Sequence, residues 1–287
     1  MKNILVSGGA GFIGSNLINK LVEDGYTVTS IDNYSTGIHD NEIKGVKYIN
    51  DDIENIGKLT ENFDLCFHLA AQSRVQPSFD DPEESFKANV QGTLRVMEWA
   101  ASKKVKVVYA GSSSKHHNPA DSPYAMYKFL GEEICKLYKK SFNVNVEISR
   151  FYNVYGPGEY IDEKFGNVFG IWVAKIKKNE PIPIVGDGNQ KRDFVHVFDL
   201  VDGLIRIAET HITNSDAWEL GTGVNYSINE LYSIFKEIFD VNSISVPDQP
   251  GNYRKTLRVN DHTLKLLNWN PKDRLKTHIE SLKNHLK

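Results

Sequence analysis

Two side chains four residues apart, Tyr124 and Lys128, are the clearest candidates for chemistry in this sequence. They fall at the predicted start of a helix, where Ser122 and Pro123 are typical first-turn residues. Residues at this spacing share one helix face. A free tyrosine has a pKa of about 10, and a neighbouring lysine ammonium favours the phenolate. Tyr124 is therefore predicted to act as a general base near neutral pH, whereas Tyr127 points from another face.

A run of serines, Ser112-Ser113-Ser114, follows Gly111 at the end of a predicted strand. The carboxyl ends of parallel strands face the ligand crevice of an α/β sheet, so a serine here can hydrogen-bond the same substrate oxygen as Tyr124. An ordinary polar turn is the alternative interpretation. Ser112 is the preferred catalytic serine, with Ser113 next, because the pattern fixes the strand register only to within about one residue.

A glycine-rich loop containing Gly8, Gly11 and Gly14 lies between a short apolar stretch and an apolar pattern at helical spacing. A strand, a glycine turn and a helix form the context of a dinucleotide-binding loop, because the helix N-terminus offers N–H groups to phosphates. A plain glycine-rich turn is the alternative. Asp32 ends the next predicted strand, 18 residues after Gly14, where a carboxylate accepts hydrogen bonds from ribose hydroxyls. No Arg or Lys lies between Asp32 and His39 to attract a 2′-phosphate, so the predicted cofactor is NAD rather than NADP.

The elements that must position these residues alternate between strand and helix in the first half of the chain. Predicted strands cover 4–7, 27–31, 47–50, 65–69, 105–110 and 144–149, and predicted helices cover 12–24, 53–62, 84–103 and 122–142. This alternation predicts an α/β fold, a doubly wound parallel sheet of the Rossmann type with helices on both faces. Further helices are predicted at 166–178, 198–209 and 228–239, with short helical pieces over 261–287. We expect an NAD-binding domain at 1–155 with a return segment near 193–220, and a smaller mixed α/β substrate-binding lobe at 156–192 and 221–287.

The composition narrows the class of protein. The chain has 287 residues, with 34 Lys and Arg against 37 Asp and Glu, so it has no basic surplus for nucleic acid or a membrane surface. No apolar run reaches the roughly 18 residues of a membrane span, and no signal peptide is evident. The cysteines, Cys66 and Cys135, are predicted to be reduced core residues, as in a cytoplasmic protein. No metal-ligand spacing is present, and His116 and His117 are interpreted as a solvated loop.

Several further motifs resemble those of the extended short-chain dehydrogenase/reductase family, and within it the nucleotide-sugar 4-epimerases. The resemblance rests on the glycine loop, the serine run, Tyr124 to Lys128, Asp32-Asn33, Asp52-Ile53, His68-Leu69-Ala70-Ala71-Gln72, Asn89-Val90-Gln91-Gly92-Thr93, Asn153-Val154-Tyr155-Gly156-Pro157-Gly158 and Arg192-Asp193-Phe194-Val195-His196-Val197. The resemblance implies that the cofactor is held by Gly8, Gly11, Phe12, Ile13, Gly14, Asp32, Asn33, Ser35, Thr36, Gly37, Asp52, Ile53, Leu69, Ala70, Ala71, Gln72, Asn89, Tyr124, Lys128 and Tyr152. Lys128 would also anchor the nicotinamide ribose, and Tyr152 would border the nicotinamide.

The same resemblance implies a nucleotide-sugar site. Asn153, Asn167 and Arg192 would contact the diphosphate, and Phe194 would lie against the base or ribose. A surface ion pair with Asp187 or Asp193 is the alternative for Arg192. A homodimer is expected through the helices predicted at 84–103 and 122–142.

The implied reaction is epimerisation at C4 of a UDP-sugar, because the serine run carries no Asp-Glu pair of the kind that related dehydratases use. Ser112, Tyr124 and Lys128 would serve a transient 4-keto sugar. UDP-glucuronate, held by Lys115, is the runner-up substrate. Two further hypotheses stay open: a related dehydratase or decarboxylase, and a non-catalytic NAD-binding protein.

The sequence departs from the family pattern at three places. Only 11 residues separate Ser112 from Tyr124, so a more open sugar pocket is expected. The usual Arg-Pro-Gly-Asp reads Gln249-Pro250-Gly251-Asn252, and Arg254 is expected to compensate for the lost arginine. The position that gates sugar size falls on Thr256, which predicts acceptance of UDP-N-acetylglucosamine and UDP-N-acetylgalactosamine, along with UDP-glucose and UDP-galactose.

Overall fold

The computed structural model describes residues 2–163 and 166–285. Its strands are β1 Asn3–Ser7, β2 Thr27–Asp32, β3 Lys47–Asn50, β4 Leu65–His68, β5 Lys106–Ser112, β6 Val146–Phe151, β7 Asn153–Tyr155, β8 Ile182–Val185, β9 Lys191–His196, β10 Trp218–Leu220, β11 Asn225–Ser227 and β12 Ser243–Val246. Its α-helices are α1 Phe12–Glu23, α2 Val75–Asp80, α3 Pro82–Phe86, α4 Gly92–Lys103, α5 Pro123–Ser141, α6 Val168–Lys177, α7 Val197–Glu209, α8 Ile228–Phe239, α9 His262–Leu267 and α10 Leu275–His285.

Seven strands form one parallel sheet in the order β10-β6-β5-β4-β1-β2-β3. Alternate residues of each strand enter different apolar cores: Leu5 joins the cluster that contains α4 residues, whereas Ile4 and Val6 join the cluster that contains α1 and α7 residues. A sheet covered on both faces requires nearly continuous apolar strands, which the sequence supplies. The predicted doubly wound parallel sheet is therefore confirmed.

Two smaller sheets lie outside the seven-stranded one. Strand β9 pairs parallel with β7 and antiparallel with β11, and β12 pairs parallel with β8. A third apolar core joins α6, α8 and α10 and contains Trp172 and Phe235. The proposed domain boundaries stay a prediction, and residues 164, 165, 286 and 287 of the expected second lobe lie outside the described residues.

The region predicted as one helix over 84–103 is divided. Asp81 caps α3 by accepting from the Glu84 backbone N–H, and a π-helical turn at Lys87–Gln91 joins α3 to α4. The region predicted as a helix over 53–62 is a short 3₁₀-helix, Ile53–Lys58, capped by the Asp52 side chain. Across residues 2–163 and 166–285, no helix is both long and apolar enough to cross a bilayer.

Candidate active site

The glycine loop joins β1 to α1 with very little space for side chains. Gly8 has a φ of +76°, and a Cβ there would lie 2.8 Å from the Ala70 backbone nitrogen. A Cβ on Gly14 would lie 2.1 Å from the Gly8 carbonyl oxygen. Gly11 occupies the N-cap of α1 and provides no side-chain acceptor. The first N–H groups of α1 therefore keep the capacity to bind an anion.

Asp32 closes this loop from the end of β2. Its buried carboxylate accepts hydrogen bonds from the backbone N–H groups of Ala10 at 2.9 Å and Tyr34 at 2.8 Å. A carboxylate has about four acceptor positions, so it retains capacity for ribose hydroxyls. Gly37 approaches it closely, since a Cβ there would lie 2.9 Å from Asp32 Oδ1. Asn33 donates a hydrogen bond to the Asp52 carboxylate at 3.2 Å, so two residues of the predicted adenosine site are in contact.

The middle of the predicted cofactor groove contains two buried acceptors without protein partners. Asn89 lies in the π-helical turn and donates its amide to the Gln72 carbonyl at 3.0 Å and to Ser85 at 3.3 Å. In the part of the chain that the structure describes, Asn89 Oδ1 and Gln72 Oε1 have no hydrogen-bond partner. Such orphaned acceptors call for a donor from outside the protein. With the uncapped α1 and the Asp32 carboxylate, they fit the phosphates, hydroxyls and carboxamide of NAD.

Tyr124 lies in the first turn of α5, beside the end of β5. Ser122 caps the helix by accepting from the Ala125 N–H at 3.1 Å, and Ser78 accepts from the Tyr124 N–H at 3.0 Å. The phenol is buried, and this burial raises the pKa of Tyr124 above its ordinary value. The Ser112 hydroxyl acts in the opposite direction and lowers the pKa of Tyr124. Of the two candidate serines, Ser112 is the one that acts on the phenol.

The cation that acts on the Tyr124 phenol differs from the one expected. Lys128 is buried and donates to the Ala110 carbonyl at 2.5 Å, with its Nζ 4.9 Å from the centre of the Tyr109 ring. Burial lowers the pKa of Lys128 to about 8, partly opposed by the charge of Glu132. It is instead the Arg74 guanidinium whose charge lowers the pKa of Tyr124.

Arg74 was not predicted from the sequence, because no spacing pattern links it to Tyr124. Burial lowers the pKa of Arg74 to about 10. Within residues 2–163 and 166–285, this guanidinium forms no hydrogen bond or ion pair, although the charges of Glu159 and Asp162 act on it. Its donors are therefore available to a bound ligand.

Tyr152 and the loop after Ser112 surround a cavity of about 430 Å³. Ser113, His116, Tyr152 and Thr256 are among its lining residues. Thr256 accepts a hydrogen bond from the Asn153 amide at 3.0 Å. The predicted gating residue therefore lines the cavity with a small side chain.

The residues expected at the diphosphate have different surroundings. Arg192 donates to the Tyr253 carbonyl and to Asn252 Oδ1, both at 2.6 Å, and burial lowers its pKa to about 10. In the described ranges it makes no ion pair with Asp187 or Asp193. Arg254 pairs with Asp187 instead, at 2.9 Å on the exposed surface. Arg192 thus remains the candidate for an anion, whereas Arg254 already has a carboxylate partner.

Two residues expected to contact the substrate also have partners within the protein. Phe194 belongs to the third apolar core, where it packs edge-on against Phe169 at 5.5 Å and is 5% exposed. Its ring is a core element rather than a stacking surface. Asn167 caps α6: its oxygen accepts from Phe169 and Gly170, and its amide donates to Val154 and Glu159. Its polar atoms are therefore used within the protein.

The short loop after Ser112 and Lys115 both contact other parts of the protein. His117 stacks on Tyr253, with ring centres 4.0 Å apart and planes at 7°, so the short loop contacts the C-terminal segment. Lys115 pairs with Glu133 at 2.8 Å and lies 3.8 Å above the Phe129 ring, on α5. Lys115 is therefore already held by the outer part of α5.

Comparisons with known proteins show the family of the chain. Residues 4–221 match the model of the NAD dependent epimerase/dehydratase family. The UDP-glucose 4-epimerase of Mycolicibacterium smegmatis is 32% identical over 298 residues, which cover 93% of each chain. The UDP-glucose 4-epimerase of Thermotoga maritima, solved with UDP-glucose, is 28% identical with a TM-score of 0.91, covering 99% of this chain and 100% of that one. The UDP-glucuronic acid 4-epimerase of Bacillus cereus, solved with UDP-glucuronic acid and NAD, is 26% identical with a TM-score of 0.90, covering 99% and 98%.

The family match spans the glycine loop, the serine run and α5, which carry the predicted catalytic and cofactor-binding residues. The chain is therefore an NAD-using enzyme and belongs to the NAD-dependent epimerase/dehydratase family, with UDP-sugar 4-epimerases among its relatives.

Proposed function

We propose that this protein interconverts UDP-hexoses that differ at C4, and that it accepts the N-acetylated as well as the plain sugars. The observation that carries the proposal is the position of the Tyr124 phenol, where the Ser112 hydroxyl at the carboxyl end of β5 and the Arg74 charge both lower its pKa. The small Thr256 side chain on the cavity wall supports acceptance of an N-acetyl group.

In this proposal Tyr124 removes the proton of the sugar 4-hydroxyl, and Ser112 hydrogen-bonds the same oxygen. NAD, held by the glycine loop and Asp32, supplies reversible hydride acceptance at C4. Tyr124 returns the proton when the 4-ketone is reduced on the other face. Arg74 stabilises the phenolate by its charge, and Lys128 positions the end of β5 through the Ala110 carbonyl. No net oxidation occurs, so the cofactor is retained.

The test is to follow UDP-glucose, UDP-N-acetylglucosamine and UDP-glucuronate by proton NMR, with no NAD added. The expected result is the C4 epimer of the first two sugars. Tyr124→Phe should lose about 100-fold or more of the rate, the scale of general-base catalysis. Tyr127→Phe is the matched control, because Tyr127 packs edge-on against Phe86 and not at the site. Equal rates for both variants would contradict the proposal.

The same measurement decides between substrates. Relatives of this fold include a UDP-glucuronic acid 4-epimerase, but Lys115, the residue expected to favour a uronate, pairs with Glu133. We therefore expect UDP-glucuronate to be the slowest of the three. Faster turnover of UDP-glucuronate than of the neutral sugars would overturn this assignment.

We also propose that the protein is a homodimer that pairs α4 and α5 with their copies. On and just after α5, Leu137 is 52% exposed and Phe142 is 57% exposed, which is costly for large apolar groups unless they are covered. Light scattering should give twice the chain mass, and Leu137→Glu should reduce it. A monomer at micromolar concentration would contradict this proposal.

A further inference from the structure

His116 is exposed, as the sequence indicated, but its ring contacts a buried carboxylate. It ends the 3₁₀-helix Ser113–His116, and its Nε2 lies 3.0 and 3.2 Å from the two carboxylate oxygens of Glu219. Glu219 lies on β10, 103 positions further along the chain, and is 1% exposed. A histidine at the rim of a cavity is therefore joined to a fully buried carboxylate.

Glu219 is held as an ionised acceptor. Arg150 donates to it at 3.0 Å and the Tyr152 hydroxyl donates at 2.7 Å. Burial raises the pKa of Glu219, but the hydrogen bonds from His116, Tyr152 and Arg150 outweigh burial and lower the pKa below its ordinary value. An ionised carboxylate can only accept, so Nε2 of His116 carries the hydrogen.

This arrangement fixes the tautomer of His116. With Nε2 protonated toward Glu219, a neutral imidazole has its lone pair on Nδ1. A buried carboxylate that orients an imidazole in this way is the arrangement of a general base. Among the described residues, Nδ1 of His116 has no hydrogen-bond partner. His116 also lines the cavity of about 430 Å³, together with Ser113 and Tyr152.

The cavity is next to the proposed site of C4 chemistry. Ser113 follows Ser112 in the chain, and Tyr152, expected beside the nicotinamide, shares the Glu219 carboxylate with His116. Consecutive serines therefore connect the two acid/base groups: Ser112 acts on Tyr124, and Ser113 lines the cavity together with His116. The first has a role in C4 epimerisation, and the second has none.

We infer that His116 is a second general base, which removes a carbon-bound proton next to the 4-ketone of the bound sugar. This inference rests on the proposed function, because a 4-ketone makes the protons on its neighbouring carbons acidic. The C–H bond breaks, its electron pair forms the enolate with the charge on the 4-oxygen, and the proton goes to Nδ1. Tyr124 and Ser112 donate hydrogen bonds to that oxygen. Return of a proton from His116 restores the ketone, so no oxidant or reductant is consumed.

The test is to run the reaction on UDP-glucose and UDP-N-acetylglucosamine in D₂O and to analyse the products by NMR and mass spectrometry. Simple epimerisation places no solvent deuterium on carbon, because the hydride at C4 is returned internally. With His116 active, deuterium should appear at C3 or C5 of recovered substrate and product. C4 should keep its original hydrogen.

His116→Gln keeps an amide N–H that can reach Glu219 but removes the base. It should lower deuterium incorporation per epimerisation event by about 100-fold, the scale of general-base catalysis. His262→Gln, at an exposed histidine that begins α9, is the matched control and should incorporate deuterium as the wild type does. The ratio of exchange to epimerisation separates a base from a structural residue, since a damaged loop would lower both together.

The outcomes are distinct. Epimers without carbon-bound deuterium in the wild type would overturn the role of His116 and leave the proposed function intact. Neither epimer nor deuterium would mean that the proposed function fails. Unchanged deuterium exchange in His116→Gln would mean that another residue is the base. A proportional loss of exchange and epimerisation would mean that His116 has only a structural role.

Discussion

Replacing Lys128 with methionine should stabilise the protein at neutral pH even though it removes a residue that the proposed mechanism uses. Lys128 is 5% exposed, and burial lowers its pKa from 10.5 to about 8. At about 1.4 kcal/mol for each pKa unit, this depression corresponds to about 3 kcal/mol. Loss of the hydrogen bond to the Ala110 carbonyl, about 1.5–3 kcal/mol for a charged donor, acts in the opposite direction. The net change at neutral pH is therefore small, at about 1 kcal/mol in favour of the variant.

The pH dependence gives the sharper measurement, because the loss of the hydrogen bond does not depend strongly on pH. Below pH 8, Lys128 is charged in both the folded and the unfolded chain, so the cost of burying the charge is fully present. Between about pH 8 and 10.5 the folded chain has released the proton that the unfolded chain still binds. The free energy of unfolding then rises with pH. Relative to Lys128→Met, the wild type should gain up to about 3 kcal/mol across this window.

The assay is urea unfolding of both proteins at several values from about pH 7 to about pH 10, analysed by linear extrapolation. Lys140→Met, at an exposed position near the end of α5, controls for the loss of a lysine as such. Parallel curves for the wild type and Lys128→Met would refute the reasoning, because a lysine with an ordinary pKa adds no such slope. A loss of epimerase activity in the stabilised variant would identify Lys128 as a functional residue that lowers stability.

Three further predictions concern the cofactor loop, the buried ion cluster and the phenol. Gly14→Ala should release less NAD on denaturation and melt at a lower temperature, because its Cβ would lie 2.1 Å from the Gly8 carbonyl. Arg150→Met should lower the free energy of unfolding in urea by about 3–5 kcal/mol, since it leaves Glu132 and Glu219 buried without their shared cation. Arg74→Met should move the acidic limb of the pH–rate profile to higher pH, because loss of its charge raises the pKa of Tyr124. An unchanged acidic limb would show that Arg74 does not lower the pKa of Tyr124. Arg74→Lys, which keeps the positive charge, should return the limb to its wild-type position.

The sequence predicted the parts of the molecule that local rules determine. The glycine loop, the parallel strands and the start of α5 at Pro123 follow from turn chemistry, apolar patterning and capping. It did not predict the π-helical turn at Lys87–Gln91, because the side-chain pattern continues through it as in an ordinary helix. Contacts between distant residues were also missed. Arg74 acts on Tyr124, and His116 meets Glu219 across 103 positions, and neither pair has a spacing signal.

The shortened loop and the altered C-terminal motif form one connected feature. Ser113, His116 and His117 line the cavity from the 11-residue loop between Ser112 and Tyr124, and residues 255–259 line it from the C-terminal segment. Consecutive histidines tie this loop to opposite elements: His116 to Glu219 on β10, and His117 to Tyr253 in the C-terminal segment.

Other contacts hold the segment that contains Tyr253 in place. Gln76 donates to the Pro250 carbonyl at 2.8 Å, and a Cβ on Gly251 would lie 3.3 Å from Ser122 Cβ, so the segment packs against both α2 and the start of α5. Arg192 then binds its backbone at Tyr253. The short loop and the C-terminal segment are therefore in direct contact, and both line the cavity.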